Sequence, residues 1–167
     1  GVAATLNADD VIASSADDKL RLFTVEQVYS DSPLTEAKGK WEVCGPESVK
    51  NFSAVAYYFG RDLRRELDVP VGLINSSWGG TIAEAWTPKS VVENSDVLRA
   101  SLDFPPPKDK EQNKHGYLYN AMIHPLQPFA IKGVIWYQGE ANTPRSYMYR
   151  DLLSAMITSW RDGWGQG

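Results

Sequence analysis

One stretch of the sequence, VGLINSSWGGTIAEAW at residues 71–86, constrains the fold more than any other. Its first residues are apolar enough for a strand that is buried on both faces, as in a parallel sheet. Two glycines, Gly79 and Gly80, then follow in a polar turn. Thr81 with Glu84 three residues later matches a capping box, which predicts an α-helix directly after the glycines. The stretch therefore predicts a strand, a tight turn and a helix in immediate succession.

The turn at Gly79 and Gly80 has the features of an anion site. The first backbone N–H groups of a helix have no partner within the helix, and residues without side chains let another group come close to them. We therefore expect this turn to hold an anion or a developing oxyanion. A glycine pair after a strand is a weak signal by itself, because packing alone accounts for many such pairs.

Length and composition narrow the classes of protein. The 167 residues, 43% hydrophobic and 23% charged, predict one soluble globular domain over residues 1–167. A net charge of -4 disfavours a nucleic-acid partner, and no apolar run is long enough to cross a membrane. Cys44 is the only cysteine, and the sequence has only two histidines. We therefore expect no internal disulfide, no metal and no cofactor.

The remaining pattern alternates helices and strands, which is typical of a layered α/β domain. The clearest helix covers residues 51–67, with apolar residues on one face, and Ser53 is its expected N-cap. Residues 104–111 predict a surface loop. The other predicted elements are a helix over 8–16, a strand over 19–25, an extended piece over 41–43, a helix from Thr87 to about Ser101, a buried strand over 131–137, and a last helix that begins at Asn142 or Thr143 with Pro144 near its first position.

The predicted strands 71–75 and 131–137 both end in short polar turns that contain glycine. In an open parallel sheet, ligands bind outside the carboxyl ends of the strands, so we expect the two turns to face one crevice. Gln138 follows the second strand, and its amide N–H groups suit the polarisation of a carbonyl group. A buried amide that merely fixes the loop is the alternative interpretation of Gln138.

Glu140 is open to several interpretations. It can orient Gln138, bind a sugar hydroxyl or transfer a proton, and it can equally be an acidic residue at the start of a helix. Ser76 and Ser77 are candidate nucleophiles, but no G-x-S-x-G elbow surrounds them, so we favour a role in the turn.

The two histidines, His115 and His124, are candidate general bases. One lies beside a glycine in a polar loop and the other between an isoleucine and a proline. We favour structural roles for both.

The segments INSSWGGTIAEAW and GVIWYQGEAN, with KGKWEVCGPESVKNFSAVAYYFGRDL and YLYNAMIHPL, resemble the sialate O-acetylesterases and the related acetylxylan esterases of the SGNH hydrolase superfamily. The resemblance extends from about Leu20 to Gly165. It implies a three-layer α/β/α fold with a mostly parallel sheet and the hydrolysis of acetyl esters on carbohydrates.

The resemblance also implies roles for individual residues. The second block of the family supplies a backbone N–H to the oxyanion hole, which matches Gly79, with Gly80 as the other candidate. The third block supplies a side-chain amide, which matches Gln138. Glu140 and Asn142 complete the Q-G-E-x-N pattern. We therefore expect Gly79, Gln138 and Glu140 to be catalytic, and we expect substrate binding by Trp78, Gly80 and Asn142.

Two parts of the family pattern do not occur in these residues, namely the G-Q-S-N turn of the serine nucleophile and the D-x-x-H block. We therefore expect the fold to be incomplete at both ends, with an exposed sheet edge that favours self-association or completion by other segments. The resemblance implies a secreted or periplasmic location and an O-acetylated carbohydrate as the substrate.

Two functional hypotheses follow. The first is a carbohydrate esterase that acts by serine acyl transfer, in which this chain supplies the oxyanion hole. The alternative is a catalytically inactive carbohydrate-binding or scaffold domain. A nucleotide-phosphate binder is disfavoured, because no lysine follows Gly80 and no G-x-G-x-x-G occurs.

Overall fold

A computed structural model describes residues 1–106 and 108–165. The chain divides into two compact units, the first formed by Gly1–Glu26 with Lys38–Ser77 and the second by Gln27–Ala37 with Trp78–Gly167. The α/β fold class is confirmed. A single domain over the whole chain stays a prediction.

The elements of the first unit are α1 (Ala8–Ala13), β1 (Asp17–Thr24), β2 (Trp41–Cys44), α2 (Pro46–Val49), α3 (Ala54–Leu67) and β3 (Val71–Asn75). Its three strands form a mixed sheet in the order β2-β1-β3. Strands β1 and β3 pair in parallel, with Leu22 opposite Leu73, while β1 and β2 pair antiparallel, with Phe23 opposite Trp41.

The core of the first unit lies between this sheet and helix α3. Leu20, Leu22 and Leu73 are buried there with Tyr57. Gly60 lets the helix approach β3 closely, because a Cβ atom at this position would lie 2.5 Å from the Leu73 methyl groups. The expected N-cap is confirmed, since the backbone N–H of Ala56 donates to Ser53 Oγ over 3.4 Å, and the helix therefore begins at Ala54 rather than at residue 51.

Strand β3 is confirmed at residues 71–75, but the expectation of burial on both faces is wrong. Leu73 is buried, whereas Val71 and Ile74 are half-buried and Gly72 is exposed. The apolar run therefore forms a strand in which only Leu73 is buried, and not a strand that is covered on both faces.

The second unit is dominated by short helical turns and one long helix. Its α-helices are α4 (Lys89–Glu93) and α5 (Ser146–Trp164). The apolar core contains Ala83, Val92, Leu98, Met148 and Leu152. The shorter elements are 3-10 helices over Ala83–Trp86, Arg99–Asp103, Glu111–Asn113, His124–Leu126 and Glu140–Arg145, and a π-helix over Tyr119–Ile123.

Three sequence predictions fail in this unit. Residues 131–137 form no strand, and most of them are exposed. The helix predicted from Thr87 to Ser101 ends at Glu93, and residues 140–145 form a 3-10 turn before α5 begins at Ser146. β-branched and apolar residues at 131–137 favour a strand only where a neighbouring strand is available to pair with them.

The surface loop predicted over 104–111 agrees with the structure up to Lys110. Residues 104–106 and 108–110 form no helix or strand, Pro107 lies outside the described residues, and Glu111 begins a 3-10 helix. The described helices include none that is long and apolar enough to span a membrane.

Candidate functional site

The glycine turn of the second unit lies open to solvent. Gly79 and Gly80 are both exposed, and a Cβ atom built on either would meet nothing within 4 Å. Gly80 has φ +74°, a left-handed conformation that residues with side chains rarely adopt. The turn therefore needs glycine at Gly80 for its backbone, and it leaves space above both residues.

Two polar side chains fix the shape of this turn. Thr81 Oγ1 donates to the Trp78 carbonyl oxygen over 2.7 Å. Asn113 Oδ1 accepts from the backbone N–H of Ile82 over 3.0 Å, and its Nδ2 donates to the Gly80 carbonyl over 3.5 Å. The open surface thus belongs to a turn that is held from both sides.

The predicted capping box does not form. Thr81 Oγ1 accepts from Trp86 Nε1 over 2.9 Å rather than from a helix N–H, and the turn leads into a 3-10 helix instead of an α-helix. The Glu84 side chain is buried, with only 2% exposed. A buried carboxylate needs partners, so Glu84 binds distant residues instead of capping its own turn.

These partners are Asn142 and Arg145, at the other end of the unit's sequence. Asn142 Nδ2 donates to Glu84 Oε2 over 2.7 Å. Arg145 donates to Glu84 Oε1 through Nε at 3.3 Å and Nη2 at 3.1 Å. The ion pair with Arg145 and the hydrogen bond from the Asn142 amide together satisfy both oxygens of the buried carboxylate.

Gln138 is held at both ends of its side-chain amide. Its Nε2 donates to the Thr81 carbonyl oxygen over 3.0 Å and to Asn142 Oδ1 over 2.7 Å. Its Oε1 accepts from the Tyr149 hydroxyl over 2.9 Å. The carboxamide of Gln138 is therefore fixed against the residue that directly follows Gly80.

Asn142 connects Gln138 to the 3-10 helix that follows the glycine turn. Its Oδ1 accepts from the Ala83 N–H over 2.9 Å as well as from Gln138. We refer to the group formed by Glu84, Gln138, Asn142, Arg145 and Tyr149 as the carboxamide network.

A cluster of tryptophans holds the segment that leads to Gln138. Trp136 packs edge-to-face against Trp86 and Trp160, with ring centroids 6.3 Å and 5.8 Å away. Trp136 Nε1 also donates to the Tyr149 hydroxyl over 3.2 Å. These contacts of Trp136 fix the position of Gln138, although no strand precedes it.

His115 is buried beside Ser101, with its Nε2 3.0 Å from Ser101 Oγ. Burial lowers the pKa of His115, although the charge of Glu84 opposes this shift. His124 Nδ1 lies 3.0 Å from the carbonyl oxygen of Leu34. Both contacts agree with the structural roles favoured from the sequence.

The structure brings some predicted site residues together and leaves others apart. Gln138 and Asn142 are in direct contact and bind the segment after the glycine turn. Glu140 is exposed at the start of its 3-10 helix. In the first unit, Ser77 Oγ donates to Asn75 Oδ1 over 2.8 Å, as expected of a serine that stabilises a turn. Among the described residues, no three His, Cys, Asp or Glu side chains form a group that suits a metal ion.

Sequence reasoning missed Glu84, Arg145 and Tyr149 as members of the network. One signal was available: Glu84 lies between small apolar residues in the segment AEAW, which indicates a buried carboxylate that needs a cation or an amide nearby. Nothing in the sequence indicated that Tyr149 would bind Gln138.

Comparison with known proteins decides the family. The family described as "Carbohydrate esterase, sialic acid-specific acetylesterase" matches residues 13–166. The chain belongs to this family. The resemblance inferred from the glycine turn and the Q-G-E-x-N segment is therefore confirmed.

The alignments with known relatives extend over almost the whole chain. Sialate O-acetylesterase of Homo sapiens is 34% identical over 92% of this chain, and that of Mus musculus is 33% identical over 92%. The crystal structure of a carbohydrate acetylesterase from Xanthomonas citri matches 98% of the chain with a TM-score of 0.85 and 36% identity. The chain spans 31% and 34% of the two curated relatives and 35% of the solved chain.

Proposed function

We propose that this chain is part of a carbohydrate esterase that removes O-acetyl groups from sugars, and that it supplies the oxyanion hole of that enzyme. Membership of the carbohydrate esterase family and the names of the relatives support the reaction class. The single observation that carries the mechanism is the 3.0 Å hydrogen bond from Gln138 Nε2 to the Thr81 carbonyl oxygen. This bond keeps a neutral amide donor beside the turn that contains Gly79.

The reaction is a serine acyl transfer. A serine supplied by residues outside this chain attacks the acetyl carbonyl carbon, and a histidine accepts the serine proton. The carbonyl oxygen becomes an oxyanion, which the Gly79 N–H and the Gln138 amide stabilise. Collapse of the tetrahedral intermediate releases the sugar hydroxyl with the proton from histidine, and water then hydrolyses the acetyl-serine to acetate.

Both N–H groups of Gln138 have protein acceptors in the structure. An oxyanion is a stronger acceptor than a neutral carbonyl, because hydrogen bonds to charged groups are about twice as strong. We assign the N–H that binds the Thr81 carbonyl to the oxyanion. The N–H that binds Asn142 keeps the side chain in place during the exchange.

The remaining predicted residues take supporting roles in this proposal. Asn142 is 2% exposed, so it positions Gln138 and Ala83 rather than touching the sugar. Glu140 is exposed and accepts a hydrogen bond from a sugar hydroxyl. Trp78 and Gly80 border the substrate at the open side of the turn.

The test is a Gln138→Ala variant of the full-length protein, assayed with a chromogenic acetyl ester. We expect kcat to fall by about 10²–10³-fold, the usual cost of removing one oxyanion donor. The matched control is Gln127→Ala, which removes a half-buried glutamine that donates to Tyr119 over 3.1 Å, away from the network. Unchanged kcat in Gln138→Ala, with the native circular dichroism spectrum, would remove Gln138 from the mechanism.

The alternative hypothesis, an inactive carbohydrate-binding or scaffold domain, predicts a different result in the same assay. In that case the full-length protein binds sugars but releases no acetate from any acetyl ester, and Gln138→Ala has no activity to lower.

A further inference from the structure

Three aromatic rings of the second unit lie together beside the glycine turn. The Tyr29 ring centroid lies 6.3 Å from that of Tyr117, with an angle of 16° between the ring planes, and 6.4 Å from that of Trp78. Tyr29 remains 47% exposed, and the other two rings are half-buried. We refer to Tyr29, Trp78 and Tyr117 as the aromatic platform.

Two hydrogen bonds to the backbone of Ser30 hold the segment that carries Tyr29. The N–H of Ser30 donates to the Tyr117 carbonyl over 3.2 Å, and Asn120 Nδ2 donates to the Ser30 carbonyl over 3.2 Å. The ring of Tyr29 is therefore presented to solvent from a fixed backbone. An exposed aromatic ring on a fixed backbone loses little conformational entropy when it binds a ligand.

The platform is attached to the proposed oxyanion hole. Trp78 precedes Gly79 directly in the sequence, and its carbonyl oxygen accepts from Thr81. On the other side, Asn113 binds the turn through Gly80 and Ile82, and the segment it belongs to leads on to Tyr117. A ligand on the platform would lie next to the open face of the glycine turn.

Charged groups border the platform on one side. Lys114 Nζ lies 5.5 Å from the Tyr117 ring centroid and forms an ion pair with Glu111. The Lys114 and Glu111 side chains are 41% and 42% exposed, so the pair offers both donors and acceptors to solvent. Flat rings beside paired donors and acceptors suit a ligand with an apolar face and hydroxyls at its edge.

We propose that the aromatic platform is a binding subsite for the pyranose ring of the substrate, separate from the groups that act on the ester. The negative face of an aromatic ring attracts the partly positive C–H groups on the flat face of a sugar. Lys114 and Glu111 bind hydroxyls at the sugar edge. This subsite deepens the proposed esterase function and rests on it for the choice of a sugar as the ligand.

The test measures binding of a sugar that carries no O-acetyl ester, the methyl glycoside of sialic acid, to the full-length protein by saturation-transfer NMR. We expect transfer to the ring C–H protons and a Kd about tenfold higher for Tyr29→Leu, which keeps apolar bulk but loses the flat ring. Tyr29→Phe keeps the ring and should bind like the unmodified protein. Tyr147→Ala, which removes a tyrosine that is 72% exposed on α5, is the matched control.

Equal Kd values for Tyr29→Leu and the unmodified protein, or no sugar binding by the unmodified protein, would overturn the platform. A second assay with p-nitrophenyl acetate, which has no sugar, separates this failure from failure of the esterase proposal. The ratio of kcat/KM for an O-acetylated sugar to kcat/KM for p-nitrophenyl acetate should fall in Tyr29→Leu, because only the sugar ester uses the platform. An unchanged ratio would contradict a separate sugar subsite, whereas sugar binding without any ester hydrolysis would contradict the esterase and leave the platform standing.

Discussion

In the first unit, distant parts of the chain meet mainly through apolar side chains, whereas in the second unit they also meet through a buried polar network. Leu22 on β1 and Leu73 on β3 share one core, and Tyr57 of α3 lies in the same cluster. In the second unit, Glu84 and Gln138 are joined through Asn142 by hydrogen bonds of 2.7 Å. Apolar contacts tolerate small shifts, but buried polar groups fix one arrangement because each unpaired group is costly.

This difference bears on the proposed function. The unit with the apolar core contributes regular strands and a helix, while the unit with the polar network carries the open glycine turn and the fixed carboxamide of Gln138. Catalytic donors must be held in place before the substrate arrives, which a network of satisfied hydrogen bonds achieves.

The largest loss of stability should follow from a cavity in the first unit. Leu22 is 2% exposed, so Leu22→Ala should lower the free energy of unfolding by about 2–5 kcal/mol. The control is Leu6→Ala, whose side chain is 88% exposed in the same unit and whose effect should stay within about 0.5 kcal/mol. Urea unfolding measures both. Similar values for the two variants would contradict an apolar core as the main stabilising feature of this unit.

A somewhat smaller loss is expected when the network of the second unit is broken. Glu84→Ala removes the partner of Arg145 and leaves Asn142 Nδ2 without its acceptor, which should cost about 3 kcal/mol. Glu84→Gln keeps one oxygen and should cost less. Urea unfolding compares these variants with Glu93→Ala, which breaks an exposed pair with Lys89 and should cost about 0.3 kcal/mol. If Glu84→Ala were no worse than Glu93→Ala, the network would not stabilise the unit.

Local patterns and long-range contacts also differ in how far the sequence predicts them. Helix α3 and strands β1 and β3 were predicted because their patterns are local: an apolar face at helical spacing, and β-branched or apolar runs between turn residues. The segment 131–137 has the same kind of apolar run, yet it forms no strand. Strand formation needs a hydrogen-bonding partner, and the local pattern carries no information about that partner.

The candidate site was predictable in part for the same reason. A short motif predicts Gln138 and Asn142 as site residues, and the structure places them against Thr81 and Ala83, next to the glycine turn. The premise for bringing the two turns together, a second strand over 131–137, is wrong. Glu84 was misassigned because its spacing from Thr81 fits a capping box, whereas its real partners lie 58 and 61 residues along the chain. Pairings over such separations depend on the tertiary fold, which propensity and periodicity do not encode.

The smallest expected change in stability, and the one that links the network to catalysis, is that of Tyr149→Phe. This change removes the hydroxyl that donates to Gln138 Oε1 and accepts from Trp136 Nε1, so it should cost about 1 kcal/mol of stability. In the proposed mechanism Tyr149 positions Gln138 without touching the substrate, so kcat for an acetyl ester should fall while KM stays nearly constant. The control is Tyr147→Phe on the same helix, where the exposed hydroxyl should matter for neither quantity. A fall in stability with kcat unchanged would mean that the Tyr149 hydroxyl supports the fold alone, and that Gln138 keeps its position through Thr81 and Asn142.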